Sequence, residues 1–455
     1  MATKMDAREI ALKIIAEVET GGAYANIALA RELGRRQLSD QDRRFVTELV
    51  YGTVKAANTI DWILSHYSNR PLKKLPAVIR NILRMGIYQV FFLSRVPASA
   101  ACNQAVELAK KYGHVGTVKF VNAVLRSAAR NMDKAVYPDK ASQPVAYLAL
   151  KYFHPEWLVK RWLSRLGIEE TEALCQINNE TPPLSVRTNT LRISRQELMD
   201  KLAGEGVMAE VSDWTPEGIV CREYPALNGL NSLKNGLLQV QDESSMMVAH
   251  VLSPQPGEFV IDACGAPGGK STHIAAIMGN QGRVLSVDLY DHKLKIIDEN
   301  STRLGISIIE TKEMDAVKLD TLYFGQADRV LVDAPCSGLG VLRRKPDARW
   351  RKAETQLEEL PKLQAAILAS AANCVKPGGV LVYSTCTTEP EENEQVVKGF
   401  LDTRSDFILE ETGEFLPQRR PGAFVQFWPH RDRVDGFFIA RMVKRAVSGG
   451  GCDKN

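Results

Sequence analysis

Apolar residues recur every three or four positions from Ala7 to Arg130. The runs ALKIIAEV, DRRFVTELVYGTV, TIDWILSHY, PAVIRNILRMGIYQVFFL, ACNQAVELAKKYG and VKFVNAVLRSAAR each carry one apolar face at helical period. Breaks fall at Gly21-Gly22, at Asn69-Arg70-Pro71 and at Val96-Pro97, where glycine loosens the backbone and proline removes a donor. The pattern predicts a compact all-helical domain over residues 1–140. A polar, proline-containing stretch, NMDKAVYPDKASQP, reads as a linker within residues 131–150, and two further helices are expected between residues 155 and 180. PLSVRTNTLRISRQELMDKLAGEGV then has the form of strand, turn and helix, so residues 141–235 are expected to hold the linker and a small α+β segment. Its RTNTLR fits an RNA contact or a solvated strand end equally well.

From Gly257 onward the period switches back and forth between two and 3.6. EFVIDAC, RVLSVDLY, ISIIETKEM, RVLVDAPC and GGVLVYSTC read as strands separated by helices, and FVQFWP and DGFFIARMVK follow as two last strands. Such alternation specifies a mostly parallel sheet with helices on both faces, and ligands then bind beyond the carboxyl ends of the strands. Residues 236–445 are expected to form this catalytic domain and residues 446–455 a flexible tail.

Composition changes this picture little. The 455 residues, 45% hydrophobic and 25% charged, are ordinary for a globular protein of two or three domains. No stretch approaches the eighteen apolar residues of a membrane span, and the charged MATKMDAREIALKII is unlike a signal peptide, so a cytoplasmic protein without membrane partners is expected, acting as a monomer. Charge is informative in its distribution. Residues 1–130 hold 20 Lys and Arg against 10 Asp and Glu, a local surplus of +10 in a chain whose net charge is +4. The helical part is therefore expected to meet a polyanion, with Arg35, Arg36, Arg43, Arg44, Lys73, Lys74, Lys110 and Lys111 placed to grip phosphates. The eight cysteines form no CxxC pair and no zinc-spaced Cys/His set, so no metal is expected.

The candidate chemistry sits at the strand ends. DACGAPGGKS places a glycine-rich turn, Cys264, Gly265, Ala266, Pro267, Gly268, Gly269 and Lys270, between the first strand of the alternating region and a helix. A phosphate loop needs glycine where Cys264 stands, and Pro267 removes an amide, which leaves a nucleotide triphosphatase as a weakened alternative. Asp288 ends the next strand, where a carboxylate accepts from vicinal ribose hydroxyls and repels phosphates; Asp315 follows the third. Acids around one pocket suit a nucleoside ligand without phosphates, S-adenosylmethionine above all. Two later strands run into Asp333 with Cys336 and into Cys386.

The set DACGAPGGK, VLSVDL, DAPCSGLGVLRRKPDARW and YSTCTTEPEENE resembles the RNA cytosine-C5 methyltransferases, and within them the bacterial Sun/Fmu family that modifies 16S rRNA. The N-terminal helices resemble the RNA-binding antitermination factor NusB. The resemblance implies a multidomain chain: an all-α NusB-like domain, the small α+β segment, and an α/β Rossmann-like domain that uses S-adenosylmethionine to methylate cytosine in small-subunit rRNA. Cytosine C5 is too electron-poor to take a methyl group until a thiolate adds at C6, so one cysteine is required. Spacing leaves the choice open. The resemblance assigns attack to Cys386, release of the product to Cys336, and hydrogen bonding to the base at N3 to Asp333. Arg343, Arg344, Lys345 and Trp350, just past Cys336, suit phosphates and a stacked base, although Trp350 also suits a core. Methylation of another RNA such as tRNA, a nucleotide-driven RNA remodeller and a noncatalytic RNA-binding protein are the alternative functions.

Overall fold

The computed structural model describes residues 6–446, and most of the expected tail, with Cys452, lies outside them. The chain forms two compact units. One comprises residues up to Thr181 together with Leu342–Lys352, and the other comprises Pro182–Val341 and the chain from Ala353 onward.

The first unit is helical. Helices Ala7–Thr20, Ala25–Gly34, Asp40–Lys55, Ala57–Ser65, Ala77–Phe92, Ala98–Tyr112 and Val115–Arg130 turn their apolar stripes onto one core that includes Ile10, Leu49, Ile63, Leu83 and Leu125. Ser39 caps the third by accepting from the Asp42 amide, while Pro76 and Pro97 stand just before two others and set their start. Gly52 permits a close crossing, because a Cβ there would lie 1.9 Å from the Tyr88 ring. The expected linker is partly helical: Pro144–Lys151 forms a helix whose Leu148 and Ala149 are buried. The following span, Glu156–Ile177, is two helices broken at Gly167, which takes a left-handed φ of 77°.

Leu342–Lys352, which continues the DAPC segment, is built into this helical unit. Arg349 is fully buried and donates to the carbonyls of Phe153 (2.7 Å) and Asn178 (3.0 Å) and to Asn179 Oδ1 (2.9 Å). Trp350 donates its indole N–H to the Val54 carbonyl at 2.8 Å. Of the two readings of this tryptophan, the hydrogen bond favours the packed one: its polar edge is engaged inside the helical unit.

The second unit holds two sheets. The smaller is antiparallel, in the order β2 (Met208–Val211), β3 (Gly218–Glu223), β1 (Leu184–Thr188) and β4 (Leu238–Val240), with the helix Arg195–Gly204 packed on it through Leu198 and Leu202. That helix begins with a capping box between Ser194 and Glu197.

The larger sheet contains β5 (Phe259–Asp262), β6 (Arg283–Asp288), β7 (Ile309–Glu313), β8 (Ala327–Asp333), β9 (Val375–Thr385), β10 (Phe407–Leu409), β11 (Phe424–Phe427) and β12 (Phe437–Lys444). Its order is β10-β12-β9-β8-β5-β6-β7, with β11 also pairing to β12. β7, β6, β5, β8 and β9 are parallel, and β12 runs antiparallel to β9. Near-continuous apolar strands such as VLVD and VLVYS are buried on both faces, as a covered parallel sheet requires. Chain order reverses on either side of β5, so the loops after β5 and β8 open into one crevice, the place where such sheets bind ligands. The three-residue β10, unannounced by any alternation, is an edge strand held by pairing with β12.

Candidate active site

The glycine turn leaves β5 and ends at Gly268, whose φ of 97° is open to glycine and strained for other residues; the helix Gly269–Ile277 starts immediately after it. Asp262, the last residue of β5, is fully buried. Its Oδ2 accepts from Ser271 Oγ at 2.6 Å, and its Oδ1 has no hydrogen-bond partner. Burial pushes its pKa up to about 6. Ser271 Oγ lies 2.9 Å from Ser286 Oγ on β6, and Gly265 fits against that pair: a Cβ on Gly265 would stand 2.0 Å from Ser286 Oγ. Cys264 faces Asp262, Asp333 and Asp288, and burial with these carboxylates pushes its thiol well up, so it packs rather than reacts.

Asp288 ends β6, with Oδ1 accepting from the Tyr290 amide at 3.1 Å and lying 3.6 Å from Lys293 Nζ. Asp315, beyond β7, accepts from the Val317 amide at 3.1 Å and caps a short 3₁₀ turn. These acids follow three adjacent strands, β5, β6 and β7, at the same edge.

The thiols meet. Cys336 Sγ and Cys386 Sγ are 3.3 Å apart, although the two residues are separated by 50 positions. Asp333, at the end of β8, accepts from Lys270 Nζ at 2.7 Å and from Ser384 Oγ at 2.9 Å. Lys270 thus leaves the glycine turn and reaches Asp333 at the end of β8. Burial penalises its ammonium, and the carboxylate of Asp333 and the charge at Cys386 more than offset this, leaving its pKa raised. An ammonium held in this way is not offered to a triphosphate, which further weakens the phosphate-loop alternative. Cys336 is placed differently. Its hydrogen bond to Cys386, its burial, and the nearby Glu392 and Asp333 all push its thiol up. The two sulfurs lie within hydrogen-bond distance, and either can be the donor.

Three residues that the motif reading passed over hold this arrangement. Glu392, fully buried, accepts from the Ser337 amide at 2.8 Å, from Ser337 Oγ, and from Gln364 Nε2 at 3.0 Å. Gln364 also donates to the Pro335 carbonyl at 2.9 Å, so the loop carrying Cys336 is fastened on both sides of the thiol. Asn393 does the same for the loop carrying Cys386, donating to the Thr387 carbonyl at 3.1 Å and accepting from Thr385 Oγ1. The acidic run EPEENE was visible in the sequence, but it reads as an ordinary helix start.

A glycine turn under an orphaned carboxylate at the crevice of a parallel sheet, with acids on the adjoining strands, defines a methyltransferase of the S-adenosylmethionine type. Residues 249–443 match the family described as 16S rRNA methyltransferase RsmB/F, residues 5–130 the NusB family, and residues 154–226 the ferredoxin-like domain of the RsmF/B-like methyltransferases. The chain is 42% identical over 448 residues to the probable ribosomal RNA small subunit methyltransferase B of Bacillus subtilis strain 168, covering 97% of this chain and 99% of the relative. It is 32% identical over 448 residues to ribosomal RNA small subunit methyltransferase B of Escherichia coli O1:K1, covering 98% and 100%. A solved structure of the protein PH0851 aligns over 97% of this chain and 99% of its own with a TM-score of 0.82 and 28% identity. That of NSun6 from Pyrococcus horikoshii with SFG aligns over 64% and 98% with a TM-score of 0.58 and 27% identity. The chain belongs to the 16S rRNA methyltransferase RsmB/F family.

Proposed function

We propose that the protein methylates carbon 5 of a cytosine in 16S rRNA, using S-adenosylmethionine and a covalent adduct between Cys386 and cytosine C6. The observation that carries this reading is the thiol pair at 3.3 Å beside the Lys270–Asp333 ion pair. The residues fit the cofactor. Asp262 Oδ1, buried and without a donor, suits the methionine ammonium. Asp288 suits the ribose hydroxyls, the turn from Cys264 to Lys270 lets the ligand approach the backbone, and Asp315 stands at the next strand end. When bound, S-adenosylmethionine supplies an electrophilic methyl group.

The protein's own groups do the rest. Lys270 favours the thiolate at Cys386, and Cys336 donates a hydrogen bond to it. The thiolate forms an S–C6 bond, and the displaced electron pair passes through C5 toward N3, where a proton from Lys270 arrives by way of Asp333. C5 then has enamine character and takes the methyl group. Cys336 passes its proton to the departing Cys386 sulfur and takes up the C5 proton, so the S–C6 bond breaks and the C5–C6 double bond re-forms. The N3 proton returns through Asp333 to Lys270, and one proton leaves the thiol pair for solvent. Reaching C6 requires a base out of its stack, so the target is an unpaired or locally opened region of the rRNA. The helical unit supplies RNA affinity. Its Arg36, Lys110 and Lys111 are engaged with Glu32, Glu107 and Glu9, whereas Arg35, Arg44, Lys73 and Lys74 are exposed and available to phosphates. No helix among the described residues is long and apolar enough to cross a membrane. The proposed substrate is rRNA or an assembly intermediate, met in the cytoplasm by a single copy of the chain.

The test is a denaturing gel after incubation with S-adenosylmethionine and unmethylated small-subunit rRNA. Cys336→Ala should accumulate protein joined to RNA, and Cys386→Ala should show none. The reverse pattern would make Cys336 the nucleophile, and label recovered in adenine or ribose would overturn the cytosine assignment.

A further inference from the structure

The strand that opens the small sheet carries a buried cation aimed at the cofactor turn. Arg187 on β1 is 2% exposed, so RNA cannot reach it. Its guanidinium donates to the Gly269 carbonyl at 2.6 Å, to Thr272 Oγ1 at 3.0 Å, and to Gln241 Oε1. Gly269 and Thr272 form the first turn of the helix that follows the glycine loop. Thr272 Oγ1 in turn donates to the Gly268 carbonyl at 2.7 Å, so the contact reaches the left-handed glycine itself. A second handle grips the same helix. Glu217, just before β3, is 6% exposed and accepts from His273 Nε2 at 2.8 Å.

This arrangement is costly as a stability device. Burial pushes Arg187 down to about 9, and a cation at a helix N-terminus opposes the helix dipole. What it provides is geometric: a planar fork with several donors fixes one turn of backbone in position and orientation.

We propose that the small sheet is a brace for the cofactor turn, with Arg187 as its positioning residue and Glu217 as its second hold. At Arg187, RTNTLR is accordingly neither an RNA contact nor a solvated strand end, whereas Arg192 at its other end is exposed. The inference rests on the reading of that turn as the S-adenosylmethionine site.

The test compares Arg187→Met, Arg187→Lys and Thr272→Val with Leu202→Ala, which loosens the core of the same small sheet without touching the cofactor helix. Calorimetry with S-adenosylhomocysteine should show Arg187→Met binding roughly 10- to 100-fold more weakly, the range expected when a charged hydrogen-bond set is removed. The KM for S-adenosylmethionine should rise in parallel, with the KM for RNA unchanged. Arg187→Lys should fall between, because it keeps the charge and loses the fork. Hydrogen exchange should show lost protection in the first turns of Gly269–Ile277 for Arg187→Met and not for Leu202→Ala. Should Arg187→Met fail to fold, Thr272→Val removes one end of the brace and must show the same pattern in weaker form. Equal cofactor weakening by Leu202→Ala, or a raised KM for RNA with unchanged cofactor affinity, would overturn the proposal. Wild-type protein that binds no S-adenosylhomocysteine would instead remove the cofactor reading, and the hydrogen-exchange contrast would still decide the brace.

Discussion

Replacing Gly265 by alanine should be damaging alone and tolerated together with Ser286→Ala. Gly265 has no left-handed φ, so alanine costs nothing in backbone strain and would by itself gain roughly 0.4–1 kcal/mol from a restricted unfolded chain. The obstacle is packing: the new methyl would lie 2.0 Å from Ser286 Oγ and 3.0 Å from Ser271 Oγ. Ser286 is fully buried and tied to Ser271, which is tied to Asp262. Making room means overpacking, about 1–3 kcal/mol, or breaking the Ser286–Ser271 bond, about 1 kcal/mol. The net loss for Gly265→Ala is about 1–2 kcal/mol. Ser286→Ala removes the clashing oxygen, costs about 1 kcal/mol alone, and leaves Ser271 bonded to Asp262. The double variant should then be no less stable than Ser286→Ala, a coupling of about 1–2 kcal/mol. Urea unfolding of the four proteins measures the cycle, and cofactor titration should follow the same order because Gly265 lies in the turn. Strict additivity, with the double variant losing the sum of the two single losses, would refute the packing argument.

Lys270→Met should lower single-turnover methylation roughly a hundred- to ten-thousand-fold, because it removes both the proton source at Asp333 and the cation facing Cys386; an unchanged rate would exclude Lys270 from the chemistry. His273 is held at about 4, chiefly by burial, against about 6.5 when unfolded. Because the unfolded chain takes up the proton first, stability from this group is complete above pH 6.5 and declines as pH falls toward 4, by at most about 3 kcal/mol. Denaturation at pH 7 and pH 5 should show that decline, and His273→Gln should flatten it. Neutralising Arg35, Arg44, Lys73 and Lys74 should weaken RNA binding and reduce its salt slope by up to about 0.7–0.9 for each phosphate no longer engaged, with cofactor affinity intact; an unchanged slope would move the RNA face elsewhere.

The contributions of sequence and structure separate at particular residues. Helical periodicity foretold the core around Leu49 and Leu83, since a stripe of apolar residues must be buried wherever the helix lies. Alternating strands and helices from Gly257 implied the parallel sheet, and the motifs named Asp333, Cys336 and Cys386. The acids at 288 and 315 were legible for the same reason: position at a strand end is a local property.

What the sequence by itself determined, then, is the kind of the longer elements, the edge of the sheet at which the motif residues gather, and the family likeness of those residues. Only the tertiary structure decided what meets across that edge. Lys270 reaches Asp333 across 63 residues, and Arg187 reaches Gly269 across 82. Leu342–Lys352 belongs to the helical unit although its sequence continues the DAPC segment, and the bond from Trp350 to the Val54 carbonyl favours packing, one of the two roles its sequence left open. Periodicity states which face of an element is apolar but not which partner will cover it. Those pairings follow from strand order, crossover and register, which no local stretch of sequence encodes.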